Sequence, residues 1–566
     1  CDELAPGAIN VDELHDALLL MGAITEEEAG VFGAGKWHSM FDDLCSTGRA
    51  VQIRNAGSPT LWVASERYAE LQMLWSDRKP MPGSPNGALK MFSALSFDEA
   101  LIALVRSRLD NTGPQTDTSI GAALGISPSS IKSALSALEN RGIVFQGRFT
   151  PGVTTKEWCD RRVLARIHRY TLRRLRAEIE AVPASVYLRF LFEWQRVAAQ
   201  TQVEGPQATA AIIEQLAGFE VAAAAWETEV LPARIRDFRP DYLDQLHSSG
   251  RTVWLRLNPK RYTTGTSVGP LKSTPIALIP RVDLKNWLAM VDSPEEDHEN
   301  YFSGVAKMIL TVLKERGAAF FDDIVDRCGV LKSQCELALG ELAAAGLITA
   351  DSFSGLRILL VPASKRRPLN GSRRRGTPIA SVDTVGRWDL IPRTQGNNLA
   401  RFDSDGPTME RIVNTLLNRY GIVFKRVLER ETALAPWRYL LWALRRMEAR
   451  GEVRGGRFVA GFSGEQFALP AAVDALRRIN KCPSNGEIVV VSATDPLNLA
   501  GVITPGLRIP ATTKNQIAYL DGEPVAVRIG EDLRMLKECP SGVELRVRTS
   551  LIKQPRTTNR HRLSGR

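Results

Sequence analysis

The sequence predicts an α+β, multidomain chain built on one repeated helix–glycine–strand unit, and three observations carry that prediction. First, five segments share a local pattern: "SMFDDLCSTGRAV", "SALSALENRGIVF", "DYLDQLHSSGRTV", "LALGELAAAGLIT" and "WALRRMEARGEVR". Second, 566 residues is a length that corresponds to about three to five domains, each able to bury a core. Third, residues 483–550 are rich in β-formers, with "EIVVVSATDP" followed by "NQIAYLDGEPVAVRI" and Asp521-Gly522 placed as a hairpin turn.

In each repeat an apolar residue stands four positions before a glycine (Leu44, Leu138, Leu246, Leu342, Met447), and another stands three before that (Phe41, Leu135, Leu243, Leu339, Leu444). Such a pair marks the buried stripe of an amphipathic helix. Gly48, Gly142, Gly250, Gly346 and Gly451 then supply the left-handed position that ends a helix, and a β-branched residue follows within three positions. Helix, glycine stop and strand is how a winged helix runs from its third helix into its wing. Five occurrences make this an internal repeat.

The clearest copy is residues 97–149, where "FDEALIALVRSRL", "TDTSIGAALGI" and "SPSSIKSALSALENRG" are three helices and "IVFQGRF" a wing hairpin. Ser127 is its N-cap and Pro128 suits the first turn. A second runs 301–361, with "LITADSFSGLRILL" as wing, and a third 407–469, with "APWRYLLWALRRMEARG" as third helix and "GGRFVAGFSGEQFALP" as wing. The copy at 11–64 uses "TLWVAS" as a wing strand, and the one around 239–257 reads as a partial unit. The expected domains are winged helices at 1–75, 92–152, 293–362 and 405–480. An arginine-rich helical region with the partial unit fills 153–292, a basic linker 363–404, a β-rich module 481–550 and a basic tail 551–566. The stretch "SDRKPMPGSPNG" also reads as a linker, and the acid-free segment from Arg546 onward reads as disordered.

Charge gives the first hint of function. Lys plus Arg is 73 against 63 acids, a net charge of +10, which favours an anionic partner. "EWCDRRVLARIHRYTLRRLRAEIEAVP" concentrates seven arginines between Arg161 and Arg176. On a helix, Arg162, Arg166, Arg169, Arg173 and Arg176 fall on one stripe, while Leu164, Ile167, Leu172, Leu175 and Ile179 take another face. Guanidinium forks match phosphate oxygens, so the stripe is a candidate nucleic-acid contact; a salt-bridged face against acids or a neighbouring domain is the other reading. Ser129, Ser130 and Lys132, and Trp437 with Arg438, stand where winged helices touch DNA or pack on protein. Trp226, in the alanine-rich stretch "EVAAAAWETEV", is a candidate base-stacking residue with a core position as the alternative; for Trp254 the core is the favoured reading over stacking.

Other chemistries are not supported. The seven cysteines are scattered without a CxxC pair, so neither a disulfide framework nor a metal site is predicted, and reduced cytosolic thiols are expected. No apolar run of about 18 residues predicts a membrane span. "GVFGAGKW" has the G-x₄-G-K spacing at Gly30, Gly35 and Lys36, but Trp37 replaces the magnesium-binding hydroxyl and an acidic helical segment precedes it. No ATPase motif is therefore assigned, and no nucleophilic triad is legible. Asp495 is a lone carboxylate, assigned a turn or structural role. Because the chain starts at Cys1 rather than Met, it is expected to be a piece of something longer.

Several stretches, in order, resemble the C-terminal region of bacterial large helicase-related (Lhr) proteins, superfamily 2 DNA helicases. They include "FTPGVTTKEWCDRRVLARIHRYTLRRLRAEIEAVP", "RFLFEWQ", "IIEQLAGFEVAAAAWETEVLPARIRDFRPDYLDQLHSSG", "GAAFFDDIVDRCG", "GRWDLIP", "GRFVAGFSGEQFALPAAVDALR" and "VVVSATDPLN". The resemblance covers about residues 10 to 530. It implies tandem winged-helix (helix-turn-helix) modules with β-barrel-like modules, and an upstream ATPase pair that would use ATP and magnesium and that this chain lacks. It further implies an ATP-dependent 3′-to-5′ helicase of DNA repair, acting on single-stranded DNA and on DNA or RNA:DNA duplexes in the nucleoid-associated cytoplasm. The helicase core is the implied partner. A uracil-DNA glycosylase, in the manner of winged-helix glycosylases, and a homo-oligomerising structural module are the alternatives. Gln466 and Phe467, in the "QFALP" stretch, are carried over as DNA-facing or barrel residues. The acid-free ending "TSLIKQPRTTNRHRLSGR" departs from the family pattern, which counts against a glycosylase role that uses a C-terminal aspartate.

Overall fold

The computed structural model describes residues 7–33, 35–54, 58–75, 79–80, 95–177, 179–258, 271–291, 302–361, 386–392 and 406–552. Most of the stretches 76–87 and 363–404, read as linkers, lie outside the described residues, and Arg387–Leu390 within the second is a strand. The chain divides into two compact units, 1–174 and 175–566.

The first unit holds two winged helices. Helices Val11–Met21, Glu26–Phe32 and Trp37–Ser46 lead into strands Ala50–Arg54 and Leu61–Ala64, and the latter strand also pairs with Ile24–Thr25. The helix starts follow from local chemistry: Asn10 accepts from the Glu13 amide at 2.9 Å, and Thr25 and Glu28 form a reciprocal capping box. Trp62 stacks on Phe41 with ring centroids 4.0 Å apart, fixing the wing on the third helix. The "GVFGAGKW" segment begins inside the helix Glu26–Phe32, so Gly30 is helical and no phosphate-cradling loop forms there.

The second copy uses helices Phe97–Asn111, Asp117–Leu124 and Pro128–Asn140, with Ser127 accepting from the Ser130 amide at 3.2 Å. Its wing corrects the sequence reading. Only Val144–Gly147 of the expected hairpin is a strand, and its partner is Glu157–Asp160. The opening "EWCD" of the arginine segment is therefore sheet. The helix begins at Arg161, where Asp160 Oδ1 accepts from the Arg162 amide at 2.6 Å.

The second unit holds three more copies with the same order of elements. Helices Gly205–Gln215 and Pro240–Ser248 flank a π-helical turn at Trp226–Val230, and a three-stranded sheet follows from Val221–Ala222, Thr252–Leu255 and Pro275–Pro280. What the sequence offered as a partial unit carries the full set of elements. The next copy has helices Gly304–Arg316, Phe321–Cys328 and Lys332–Ala345 and strands Ala319–Phe320, Ile348–Ala350 and Arg387–Leu390. Here the expected wing "LITADSFSGLRILL" is only partly strand. Ser352 caps a helix, Phe353–Leu360, whose Phe353, Leu356 and Leu360 are buried at helical spacing, and the closing wing strand comes instead from "RWDL". The last copy has helices Gly406–Tyr420 and Trp437–Ala449 and a sheet of Ile422–Val423, Arg454–Gly456 and Gln466–Ala468. In all five copies the strand closing the wing lies at the centre of its sheet.

The five repeat glycines have φ of 75°, 68°, 70°, 78° and 77°. A side chain would be strained at each, so the sequence signature and the backbone agree. After the last copy comes helix Pro470–Lys481, then a four-stranded antiparallel meander of Ile488–Ser492, Gln516–Leu520, Glu523–Ile529 and Asp532–Met535. Asp521 and Gly522, at φ 49° and 83°, make the predicted tight turn. The sheet is open, and no closed barrel occurs among the described residues. The tail expected to be disordered from Arg546 is helical as far as Ile552, because Val547 and Leu551 lie one turn apart and bury against Ala518, Val525 and Ala526.

One buried group links this packing to pH. His247, at the end of the third helix of the middle copy, is fully enclosed, with Nδ1 2.9 Å from the Leu243 carbonyl. Burial pushes its imidazole down to about 4. Between pH about 6.5 and about 4 the unfolded chain binds a proton there that the folded chain refuses, so stability falls as pH drops through that window. The loss by pH 4 is about 3 kcal/mol. Urea midpoints at pH 7 and pH 4 should converge in His247→Gln; an unchanged pH dependence would refute the assignment.

Candidate nucleic-acid interface

A winged helix presents the outer face of its third helix to a groove or a strand, and the five copies differ in what that face carries. In the first copy it exposes Asp42 and Asp43, and in the third Asp241. Acids there repel phosphate. The fourth exposes Leu337, an apolar residue, and Lys332, which pairs with Asp322 at 2.8 Å. The second copy exposes Ser129 and Lys132, with Ser130 half-buried in the hydroxyl cluster around Ser127. These three predicted residues stand together at the start of their helix, in a face with one cation.

The fifth copy is different. Arg438, Trp442 and Arg445 are exposed along the outer side of Trp437–Ala449, Trp442 is 50% exposed, and Arg445 donates to Glu465 at 3.0 and 2.6 Å. The Arg438 guanidinium lies 4.6 Å from the Tyr439 ring centroid, and that of Arg446 4.7 Å from Trp442. Cations beside aromatic faces suit a strand whose phosphates and bases both need partners. Arg454 and Arg457, in the wing of the same copy, are also exposed. Predicted Trp437 is half-buried against the core of the copy, so its neighbour Trp442 is the tryptophan offered to a ligand. The sequence carried the signal: at helical spacing Arg438, Trp442 and Arg445 share a face that excludes Leu440, Leu444 and Met447.

The arginine helix, Arg161–Ala177, has two kinds of arginine. Arg162, Arg166 and Arg169 are exposed. Arg176 is a brace: it donates to Glu448 at 2.9 and 2.5 Å and to Glu465 at 3.2 Å. Glu448 is buried, and it also accepts from the Gly455 amide at 3.1 Å. Arg176 thus ties the last turn of the helix to the third helix and wing of the fifth copy, which assigns it to the salt-bridged reading. The side chain of Arg173 lies outside the described residues.

Burial overturns the stacking reading of Trp226 and the DNA-facing reading of Gln466, and places Trp254 in the core, the reading favoured for it. Trp226 is fully enclosed and donates its indole N–H to the Ile276 carbonyl at 3.0 Å, so it is core and stacks on no base. Trp254 is likewise enclosed, with its indole N–H 3.1 Å from the Ser352 carbonyl. Gln466 is enclosed too. Its carbonyl accepts from the Phe458 and Val459 amides and its amide donates to the Val459 carbonyl, so it holds the wing turn together rather than facing DNA. Phe467 is buried beside it. Asp495 is structural, as its sequence context suggested: it binds the enclosed Arg234 through both oxygens at 2.6 and 2.9 Å.

Fold and surface define a tandem winged-helix protein with a cationic, aromatic third helix in its last copy. Family profiles described as the winged-helix domain of large helicase-related proteins match residues 182–281 and 403–488. The chain belongs to that Lhr type and corresponds to its C-terminal region. It is similar to the "Lhr helicase/ probable uracil glycosylase" of Mycolicibacterium smegmatis, 30% identical over 518 residues, covering 87% of this chain and 32% of that protein. It is also similar to the "Lhr helicase/uracil glycosylase" of Escherichia coli, 29% identical over 391 residues, covering 63% and 24%. The chain thus spans about a third or less of the length of these relatives. Among solved structures, the Streptomyces sahachiroi DNA glycosylase AlkZ aligns over 66% of this chain and 97% of its own, with a TM-score of 0.39 and 12% identity. Among the described residues no helix is long and apolar enough to cross a membrane, and no metal-ligating cluster occurs.

Proposed function

We propose that the chain is the DNA-gripping accessory region of an Lhr-type ATP-dependent 3′-to-5′ helicase that acts in DNA repair in the cytoplasm. The observation that carries this is the fifth copy, where Arg438, Trp442, Arg445, Arg454 and Arg457 are exposed on one third helix and its wing. In this reading the chain supplies grip, and ATP and magnesium serve motor domains elsewhere in the whole protein. Single-stranded DNA is the favoured partner, since an exposed tryptophan stacks on unpaired bases.

A salt series tests the reading. With Arg438, Arg454 and Arg457 on phosphates, and Arg445 held by Glu465, log K for single-stranded DNA should fall against log salt with a slope of roughly −2. A flat line would refute the phosphate grip. The printed names of both relatives favour a second reading, uracil-DNA glycosylase, and incubation with uracil-containing DNA tests it through the appearance of abasic sites. Asp495 is not its carboxylate, because both its oxygens are engaged by Arg234 in the core.

A further inference from the structure

One carboxylate of the fifth copy is shared by two arginines, and only one of them belongs to the grip. Glu465 stands in the wing, immediately before the strand Gln466–Ala468. Its Oε2 accepts from Arg445 Nε at 3.0 Å and Nη2 at 2.6 Å, and its Oε1 accepts from Arg176 Nη1 at 3.2 Å. Arg438, on the same helix face as Arg445, meets a neutral group instead, the Tyr439 hydroxyl, at 2.7 Å. Arg445 is thus the outward arginine of this face that already has an anion.

A lone exposed ion pair contributes little, and its members part easily. This pair differs because its acid is anchored. Arg176, which holds Oε1, also donates through Nε and Nη2 to Glu448 at 2.9 and 2.5 Å. Glu448 is buried and receives the Gly455 amide at 3.1 Å as well. The series Glu448, Arg176, Glu465 therefore runs from the core to the surface and ends in a carboxylate fixed beside a grip arginine. The Arg445 side chain is 58% exposed against 28% for Glu465, so the cation is the member open to a ligand and the acid is set into the wing. To a guanidinium fork, a carboxylate and a phosphate offer the same pair of anionic oxygens. A strand that reaches Arg445 meets an ion pair with no net charge, and its phosphate gains little there.

We infer that Glu465 is an internal stand-in for a backbone phosphate: it occupies Arg445 and keeps the grip of the fifth copy below the strength its arginines could give. The inference rests on the single-strand reading above and adds the element that limits it. Arg176 is a positioning residue in this device, since it fixes the acid and touches no strand through that bond. A hold of limited strength suits an accessory region past which a strand is moved and must be released.

The test uses the whole chain and a fluorescein-labelled oligothymidine, titrated by anisotropy between about 50 and 200 mM salt. Glu465→Gln keeps the shape of the side chain and removes its charge, while Glu448 still neutralises Arg176. With Arg445 released to phosphate, the slope of log K against log salt should steepen from roughly −2 to roughly −3, and binding at the low-salt end should tighten about three- to tenfold. In an Arg445→Gln background the same substitution should change affinity by less than about twofold, because the arginine it releases is gone. Urea midpoints check the fold of each variant, and Glu465→Ala, which also lacks the charge, repeats the measurement if Glu465→Gln is destabilised. An unchanged slope and affinity on removing the charge would overturn the inference. So would a gain that persists without Arg445, since the loosened Arg176 or the lost negative charge then accounts for it. Either result leaves the grip standing as long as the native chain shows its own salt dependence; a flat line for the native chain removes the grip and the inference with it.

Discussion

Arg234→Met is expected to destabilise the second unit by about 3–5 kcal/mol, because it leaves a buried carboxylate without its cation. Arg234 is fully enclosed, and Asp495 opposite it is 1% exposed. Besides its two bonds to Asp495, the guanidinium donates to the Val230 carbonyl at 3.0 Å and the Gln195 side chain at 2.9 Å. It thus joins three stretches far apart in sequence: the helix Ala184–Trp194, the π-helical turn and the loop after Ile488–Ser492. Without it, Asp495 keeps the Leu497 amide at 2.9 Å as its remaining side-chain bond. The double variant Arg234→Met, Asp495→Asn should recover part of the loss, since a neutral amide costs less to bury than an unpaired charge. Urea unfolding followed by tryptophan fluorescence reads both. A single variant within about 0.5 kcal/mol of the native chain would show that the pair holds nothing together.

The repeat was legible in the sequence because a winged helix leaves a short-range mark at the end of its third helix. Leu138 with Gly142 and Met447 with Gly451 lie four residues apart, and both the buried stripe and the left-handed stop are local requirements. The second strand of the wing was not legible in the same way in the second and fourth copies. Glu157–Asp160 pairs with Val144–Gly147 across a nine-residue connection, and Arg387–Leu390 pairs with Ile348–Ala350 beyond an inserted helix. Pairing over such distances is set by tertiary packing, and no local pattern reports it. The same limit explains the tryptophans. Trp226, Trp254 and Trp442 are chemically alike, and only the arrangement of distant strands puts the first two against the carbonyls of Ile276 and Ser352. For Gln466 the partners are near in sequence, but the turn that brings Val459 back to it is fixed by the wing pairing.

Trp442→Ala is expected to weaken single-stranded DNA binding by about 1–3 kcal/mol, the usual range for losing one base-stacking side chain, with little change in stability. The side chain is half exposed and flanked by Arg446, so truncation removes contact surface without opening a core cavity. Arg438→Glu should act through charge instead, flattening the salt dependence by about one or two phosphate contacts while the stacking remains. The control is Trp226→Ala, which should cost about 3–5 kcal/mol of stability and affect DNA binding only where the unit unfolds. These three variants separate surface stacking, surface charge and core packing in one assay. If Trp442→Ala binds like the native chain while Arg438→Glu does not, the fifth copy holds phosphate alone and its ligand is duplex. If neither changes binding, the exposed arginines of Arg161–Ala177, among them Arg162, Arg166 and Arg169, are left to carry the contact, and reversing Arg166 together with Arg169 becomes the decisive substitution.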